Sequence, residues 1–289
     1  MMEDTINHTA ASVNALLPPE MAEKAEDTGA AKTRLPFLNL LVLAILAGAF
    51  IALGALFSTI AIAGAGNYLP FGVTRVLAGL TFSLGLVLVV VGGAELFTGN
   101  NLMVMAWAGG KITLGTMLRA WGIVYLGNFI GAAATAVMVF LAGVHGNGDA
   151  AVGAAALTMA DAKAQLAFFP ALMRGVLGNV LVCLAVWLCY SARTTTDKIL
   201  CIVPPVTAFV AAGFEHSIAN MFILPYGLLI KAAAPESFWQ GLSMSPAGFD
   251  ALDWGALAAN LVPVTLGNVI GGGVLVGAVY WFVYLRHRP

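Results

Sequence analysis

The sequence predicts an all-α membrane protein with six transmembrane helices, arranged as two inverted three-helix repeats in which spans 2 and 5 are broken. The first observation is composition: 60% of the 289 residues are hydrophobic and 9% are charged, with a mean hydropathy of +0.92. Soluble domains carry roughly 25% charged residues. The second is a set of long apolar stretches, two of them interrupted by polar patches. The third is that these two patches resemble each other.

Six stretches are apolar enough to cross a bilayer, which takes about 20 residues in an α-helix. They are 37–62, 73–110, 114–143, 165–192, 199–231 and 254–285. The second and the fifth are too long for a plain span, and each has a polar, glycine-bearing patch near its middle. Because the linkers are short, residues 36–289 are predicted to form one transmembrane domain.

Residues 1–35 are polar and form a tail ahead of this domain, with six acidic and three basic side chains. No short apolar core follows a basic start, so a secretory signal peptide is not expected. Pro18-Pro19 precedes Met21, Ala22 and Ala25, with charged residues between them, which predicts a helix lying at the membrane surface or covering the cytoplasmic face. A disordered tail is the alternative.

Basic residues predict the orientation, because cytoplasmic loops are enriched in Lys and Arg. If both termini are cytoplasmic, nine of the thirteen basic residues fall on that side: Lys24, Lys32, Arg34, Lys111, Arg119, Arg193, Lys198, Arg286 and Arg288. The other four fall outside: Arg75, Lys163, Arg174 and Lys231. We therefore expect a multi-pass protein of the inner (cytoplasmic) membrane with both termini in the cytoplasm.

Two motifs recur in the same order along the chain. Residues 93–100 (GAELFTGN) align with 213–220 (GFEHSIAN), so that Gly, Glu and Asn recur at the same offsets. Residues 126–131 (LGNFIG) of the third span align with 266–271 (LGNVIG) of the sixth. Spans 1–3 thus correspond to spans 4–6, and three spans per repeat place the second copy upside down relative to the first.

Broken helices with acidic residues at bilayer depth indicate a cavity or a pore. Unwound backbone persists inside hydrocarbon only where it is buried in protein or lines a cavity, and a carboxylate there costs on the order of 3 kcal/mol. We expect Glu95 and Glu215 to support their own loops by accepting hydrogen bonds from the freed N–H groups. Supporting amides are expected nearby: Asn100, Asn179 and Asn220.

His216 lies in the second patch and is the strongest candidate for chemistry along the pathway. An unperturbed imidazole titrates near pH 6.5 and exchanges its proton at physiological pH. A buried histidine that only satisfies the backbone is the alternative. Because two-fold symmetry makes the two patches face each other, the Thr98 hydroxyl is expected to donate towards His216 as a relay partner.

Further candidates follow from position. Four apolar side chains beside the patches are either ordinary core or the hydrophobic constrictions of a pore: Phe82, Leu96, Phe97 and Phe209. Lys163 precedes the fourth span on the outer side. There it is either a solvated loop charge or an attractor for anions at the mouth of the pathway.

Other classes of function are not expected. The net charge of −1 and the absence of a long basic run give no site for nucleic acid. Cys183, Cys189 and Cys201 lie in apolar sequence and suggest neither disulfides nor a metal site; no cofactor is expected. An enzyme is also not expected, since His216 and Ser217 are neighbours that do not readily pair and no G-x-S-x-G or H-E-x-x-H motif is present.

From about Pro19 to Arg286 the chain resembles the formate/nitrite transporter family, and more specifically its formate channels. The resemblance rests on GAELFT (93–98), AVW (185–187) with DK (197–198), GFEHSIANMF (213–222), and PVTLGN (263–268) with GGG (271–273). It implies an aquaporin-like protomer assembled as a homopentamer, with a separate pore in each protomer. Gly99-Asn100 departs from the small hydroxyl residues that formate channels carry after this threonine. The resemblance therefore does not define the shape of this loop.

The resemblance also implies residue roles. His216 and Thr98 would be the central pore pair, while Lys163 and Asn179 would support anion attraction and the hydrogen bonding of the histidine. The constrictions would be lined by Phe82, Leu96, Phe97 and Phe209.

The expected function is passive or proton-linked transport of small monovalent anions, formate first among them, through a channel domain at 36–289. A bare carboxylate in a dry slit costs several kcal/mol, and neutralising a carboxyl of pKa near 3.9 at pH 7 costs about 4 kcal/mol. We expect His216 to supply the proton, which either travels with the substrate or returns. The alternatives are a nitrite channel and a proton-coupled carrier of lactate or acetate. The Asn-Pro-Ala pair of aquaporins is absent, so a water channel is not expected.

Overall fold

The computed structural model describes residues 15–287, which form α-helices and no β-strand. The helices are α1 Pro18–Thr33, α2 Phe37–Ile62, α3 Phe71–Gly92, α4 Val104–Ala108, α5 Leu114–Leu141, α6 Ala151–Ala164, α7 Phe168–Ser191, α8 Thr195–Ala211, α9 Ser217–Ala233, α10 Glu236–Leu242, α11 Trp254–Val269 and α12 Val279–Tyr284. A π-helical stretch, Ile270–Ala278, joins α11 to α12, and a 3₁₀ turn, Gly99–Met103, leads into α4. The first fourteen residues of the predicted tail, and Arg288, lie outside the described residues.

Five segments of the described chain are long and apolar enough to span a bilayer: α2, α3, α5, α7 and Pro246–Tyr284, which contains α11 and α12. The helix α9 passes the same test only together with α10, from which it is bent by 104°, and the count then reaches six. The fifth predicted stretch, 199–231, is divided between α8 and α9, with 17 residues each.

The two halves of the chain use the same packing in the same order. In the first half α2 packs against α3 and α5, and in the second half α7 packs against α8 and α11. Between the halves, α3 lies against α8 and α5 lies against α9. The predicted all-helical fold of two related halves is therefore confirmed.

Glycines of the repeated LGN-x-IG motif allow the closest helix contacts. A Cβ atom on Gly131 would overlap the carbonyl oxygen of Ile45, and one on Gly271 would overlap that of Val176. No side chain fits such separations, so glycine is what lets α5 reach α2 and lets the end of α11 reach α7. The same motif positions Asn128 and Asn268 at the helix breaks.

The helix α6 is not among the predicted elements, because the sequence assigns residues 144–164 to an outer loop. Its 14 residues are too few to cross a bilayer, so a search for spans overlooks them. Alanine-rich sequence nevertheless favours a helix, and Ala156, Leu157 and Ala160 are buried on its inner face, which packs against α9. This correction matters because α6 carries Lys163.

The helix α1 is the one predicted from Pro18-Pro19, and it covers one face of the bundle. Proline is favoured in the first turn of a helix, where its missing N–H costs nothing. Met21, Ala22 and Ala25 pack in a cluster with Trp187 and Leu285. The alternative of a disordered tail therefore does not hold for Pro18–Thr33.

An ion-pair cluster also fixes α1 to the loop that precedes α5. Lys111 Nζ lies 2.7 Å from Glu26 Oε2 and 2.5 Å from Asp27 Oδ1. Hydrogen bonds from Lys111 to Asp27 and Glu26 raise the pKa of Lys111. A Cβ atom on Gly109 would overlap Glu26 Oε1, so glycine makes room for the buried carboxylate.

Candidate substrate pathway

Two unwound segments interrupt the helices that carry the predicted patches. Break 1, residues 93–98, follows α3, and break 2, residues 213–216, follows α8. Both begin at a glycine with positive φ, +80° at Gly93 and +73° at Gly213. Side-chain-bearing residues rarely adopt this conformation, which explains why Gly recurs at the same offset in both patches.

Asn128 and Asn268 satisfy the backbone that each break frees. Asn128 Oδ1 accepts from Phe97 N at 2.9 Å, and its Nδ2 donates to Glu95 O at 2.9 Å and to Ala44 O at 2.7 Å. Phe97 N and Glu95 O belong to the break and would otherwise be buried without a partner. Asn128 therefore holds break 1 against α2 and α5.

Asn268 makes the equivalent set of contacts in the other half. Its Oδ1 accepts from Ser217 N at 2.9 Å, and its Nδ2 donates to Glu215 O at 3.1 Å and to Gly175 O at 2.8 Å. Neither asparagine is among the site residues predicted from the sequence. The repetition of the LGN motif, which contains both, is the sequence feature that could have identified them.

At break 1 the carboxylate of Glu95 is held by two side chains. Asn100 Nδ2 donates to its Oε2 at 2.8 Å, and Lys32 Nζ of α1 lies 3.0 Å from the same oxygen. Lys32 also donates to Asn100 Oδ1 at 2.8 Å. Within the described structure Glu95 is therefore paired with the side chains of Asn100 and Lys32, and not with the freed backbone N–H groups as expected. Its cationic partner comes from a helix outside the predicted spans.

At break 2 the arrangement recurs with the corresponding residues. Asn220 Nδ2 donates to Glu215 Oε2 at 2.6 Å, and Lys163 Nζ of α6 donates to Oε1 at 2.7 Å. The alternative of a solvated loop charge does not fit Lys163, which lies on a helix with a largely buried side chain. Each repeat thus contains a preceding helix, α1 or α6, whose lysine neutralises the glutamate of the break.

The Thr98 hydroxyl lies 2.8 Å from His216 Nε2, so the two breaks meet at this pair. Thr98 is 0% exposed and His216 is 2% exposed. The other ring nitrogen, Nδ1, accepts from the backbone N–H of Ala219 at 3.1 Å. Because that amide can only donate, the neutral imidazole carries its proton on Nε2 and donates a hydrogen bond to the Thr98 hydroxyl. This direction is the reverse of the expected one, in which Thr98 donates to His216.

Asn179 lies beside this pair, but it does not contact the imidazole. Its Nδ2 is 2.7 Å from Asn101 Oδ1, 2.6 Å from Asn268 O and 3.3 Å from Thr98 O. Cys183 Sγ also donates to Thr98 O, at 3.2 Å. These contacts fix the backbone of Thr98, so Asn179 positions the partner of the histidine rather than the histidine itself.

Aromatic rings flank the central pair on one side. Phe82 and Phe209 meet edge to face, with centroids 5.5 Å apart, and Phe209 lies 6.0 Å from the His216 ring. Phe97 packs elsewhere, with its ring 4.9 Å from Tyr125 and 6.0 Å from Trp121. The structure therefore brings Phe82 and Phe209 together and places Phe97 against α5.

A cavity of about 290 Å³ lies on the α1 side of break 1. Leu96, Glu95 and Asn100 line it from the break and the following turn, together with residues of α1, α7 and α8. The cavity thus reaches Leu96, two residues before Thr98. Among the described residues, no group of three or more His, Cys, Asp or Glu side chains has the arrangement of a metal site.

The fold and the two facing breaks define a helical membrane protein of the inverted-repeat transporter class. The profile described as "Formate/nitrite transporter" matches residues 19–282. The chain therefore belongs to the formate/nitrite transporter family.

Individual relatives agree over nearly the whole chain. It is 44% identical over 274 residues to the formate channel FocA of Escherichia coli K12, covering 94% of this chain and 96% of that protein. It is 40% identical over 276 residues to FocA of Haemophilus influenzae, with the same coverage. A solved structure titled "Pentameric formate channel with formate bound" superposes with a TM-score of 0.82 at 42% identity, over 86% of this chain and 98% of that one.

Proposed function

We propose that this protein transports small monovalent anions across the cytoplasmic membrane, with formate as the substrate. The observation that carries the proposal is the buried Thr98–His216 pair where the two breaks meet. It supplies a proton-exchanging group at the narrow, dry point of the pathway, where a bare carboxylate is costly. Relatives named as formate channels support the choice of substrate.

The pathway has a lysine at each end. Lys32 borders the cavity on the α1 side, and Lys163 occupies the equivalent position on the opposite side. An anion approaching either break meets an ammonium group whose charge is balanced by one glutamate. The anion then reaches Thr98. The hydroxyl of Thr98 donates a hydrogen bond to the anion and accepts one from the Nε2–H group of His216.

Net proton donation requires the imidazolium form of His216. In that form Nδ1 also carries a proton and no longer accepts from Ala219 N, so one buried amide loses its partner at a cost of about 1–3 kcal/mol. Donating the Nε2 proton to the anion through the Thr98 hydroxyl leaves a neutral ring that carries its proton on Nδ1. The ring returns to its starting state, with Ala219 N again donating to Nδ1, only after it has lost that proton and taken up another at Nε2. The neutral acid passes the rings of Phe82 and Phe209.

The proposal also covers the orientation of the protein in the membrane and its oligomeric state. Both termini are placed in the cytoplasm because the α1 side then carries most of the basic residues. The α1 side is the cytoplasmic face, and the α6 side is the outer face. The relative whose title calls it pentameric supports a homopentamer with one pathway in each protomer.

Flux measurements on the purified protein in liposomes test this function. Formate, nitrite, acetate and lactate are imposed as gradients at several pH values, and vesicle swelling is followed against protein-free liposomes. We expect formate to enter fastest, and its flux to rise as the pH falls. Faster nitrite or lactate flux would assign the protein to a nitrite channel or to a carrier of larger acids. No flux of any of them would refute the proposal.

Replacing Lys163 by alanine should raise the formate concentration needed for half-maximal flux from the outer side. The ammonium group attracts the anion, and its loss leaves Glu215 buried and negative, which repels it. The double variant Lys163→Ala/Glu215→Gln removes both charges and should recover part of the loss. Lys32→Ala is the matched control: it should shift the concentration dependence from the α1 side instead. An unchanged concentration dependence for Lys163→Ala would rule out anion attraction by this residue.

A further inference from the structure

The cavity on the α1 side is lined by more positive charge than is required to balance the carboxylate of Glu95 in break 1. Among residues 15–287, three lysines line it, Lys24 of α1, Lys32 of α1 and Lys198 of α8, against a single lining carboxylate, Glu95. Three ammonium groups and one carboxylate give the lining a formal charge of +2.

One of these lysines is committed to the carboxylate. Lys32 lies 3.0 Å from Glu95 Oε2 and also donates to Asn100. Lys24 Nζ donates to the carbonyl oxygen of Tyr190, at 3.1 Å, and this partner carries no charge. Within residues 15–287, the lysines that pair with carboxylates are Lys32, Lys111 and Lys163.

Lys24 lies close to two other positively charged side chains, Arg193 and Lys198. Burial lowers its pKa, and the charges of Arg193 and Lys198 lower it further. A charge placed where both desolvation and neighbouring cations oppose it gains from an anion bound beside it. The electrostatic environment thus independently favours an anion in the space between α1 and α8.

The volume of the cavity indicates the size of that anion. About 290 Å³ falls at the lower end of the roughly 300–1,000 Å³ typical of small-molecule sites. A one-carbon acid fills little of this space and neutralises one charge, whereas a compact molecule with two carboxylates matches both the volume and the charge of +2.

We propose that this cavity binds small dicarboxylate dianions of three or four carbons, and that a bound dianion obstructs the entry of monovalent anions from the α1 side. The obstruction rests on the proposed transport function, but the binding does not. The two carboxylates would contact Lys24 and Lys198, while Leu96 closes the inner end of the cavity.

Such a dianion binds without crossing. Entry into the dry segment beyond Leu96 requires both carboxylates to be neutralised, and the described part of the pathway presents one histidine there, His216. A monovalent acid needs one proton and a dianion needs two. The same pathway therefore lets a monovalent acid cross, whereas a dianion stays bound in the cavity on the α1 side.

Isothermal titration calorimetry of the purified full-length protein with succinate tests the binding step at neutral pH. Succinamate, which has nearly the same shape and one charge fewer, is the matched ligand. We expect succinate to bind up to about fivefold more tightly than succinamate, because two ammonium groups are engaged instead of one. The double variant Lys24→Gln/Lys198→Gln should weaken succinate binding by about the same factor. Both lysines are changed together. Either single substitution would leave, besides Lys32, which is paired with Glu95, one ammonium group that still binds the dianion.

A charge change on the same face but outside the cavity provides the control. Arg119→Gln, at an exposed position near the start of α5, should leave succinate binding unchanged. Equal binding of succinate and succinamate, or unaltered succinate binding by the double variant with a wild-type unfolding temperature, would overturn the proposal.

Formate flux gives the second readout. Succinate on the α1 side should slow formate flux in the wild-type protein, and succinate on the opposite side should not. Binding without sided inhibition would overturn the obstruction step alone. Absence of formate flux even without succinate would instead refute the transport function, so the two failures are distinguishable.

Discussion

Replacing His216 by phenylalanine will abolish the pH dependence of formate flux. In the wild-type protein, proton donation requires the imidazolium form, so flux on the alkaline side should fall by up to about tenfold for each unit that the pH rises. Phenylalanine has a similar planar ring but no proton to exchange. The variant should therefore give the same low flux at every pH, which stopped-flow light scattering of proteoliposomes measures.

The sign of this effect follows from the hydrogen bonds of the ring. At high pH the neutral imidazole donates to Thr98 and accepts from Ala219 N, and it has no second proton to give. Lowering the pH adds a proton at Nδ1, and the resulting imidazolium can give up its Nε2 proton on the side of Thr98. Thr98→Val should leave the direction of the pH dependence intact but reduce the flux, because the hydroxyl that connects anion and ring is lost.

A second histidine provides the matched control for this substitution. His145 lies in the 3₁₀ turn Val144–Gly146, stacked on Phe140 and in edge contact with Phe238. Burial lowers the pKa of His145, and its ring is remote in sequence from both breaks. His145→Phe should preserve the pH profile. A His216→Phe variant with the wild-type profile would remove this histidine from the mechanism.

The breaks were predictable because they leave a local signal in the sequence. A glycine two residues before a glutamate, inside an apolar stretch, marks an unwound segment whose first residue has positive φ, as Gly93 and Gly213 do. Recurrence of the motif in both halves then predicts that the breaks face each other. That symmetry is the basis for expecting Thr98 and His216 to be close, although their own counterparts in the repeat are Ile218 and Leu96.

The partners of the two glutamates were predictable only in part. Asn100 and Asn220 lie five residues after their glutamates, within the same motif, and both are expected nearby. Lys32 pairs with Glu95 across 63 residues of sequence, and nothing local distinguishes it from other charges of the tail. The folded repeat reveals it, because it makes Lys32 the counterpart of Lys163.

Side-chain directions in the core were the least predictable feature. Phe82 and Phe97 are both apolar residues near a break, yet Phe82 faces Phe209 whereas Phe97 packs on Tyr125. Phe82 lies in the regular helix α3, whereas Phe97 lies in the irregular break, where hydrophobic periodicity does not define the direction of a side chain. Asn179 shows the same limit, since its amide reaches the backbone of Thr98 instead of the imidazole.

Replacing Asn268 by alanine should destabilise the protein more than any other single truncation at the second break. Ser217 N and Glu215 O would each be left without a hydrogen-bond partner in a buried site, and Gly175 O of α7 would lose its contact with Asn268. Each orphaned group costs about 1–3 kcal/mol, so a loss of several kcal/mol is expected. The measurement is the thermal unfolding of the purified protein in detergent, together with the yield of folded material.

The aspartate variant separates hydrogen bonding from side-chain volume at the same position. Asn268→Asp keeps the shape and still accepts from Ser217 N, but its carboxylate faces the two carbonyl oxygens that the amide nitrogen now satisfies. It should be at least as unstable as Asn268→Ala, because a buried negative charge is placed beside two carbonyl oxygens. Asn128→Ala should match Asn268→Ala, since it removes the equivalent three bonds from break 1. Asn147→Ala, at an exposed position, should unfold at the wild-type temperature. If Asn268→Ala did the same, the breaks would be held by their glutamates and not by the asparagines of the repeated motif.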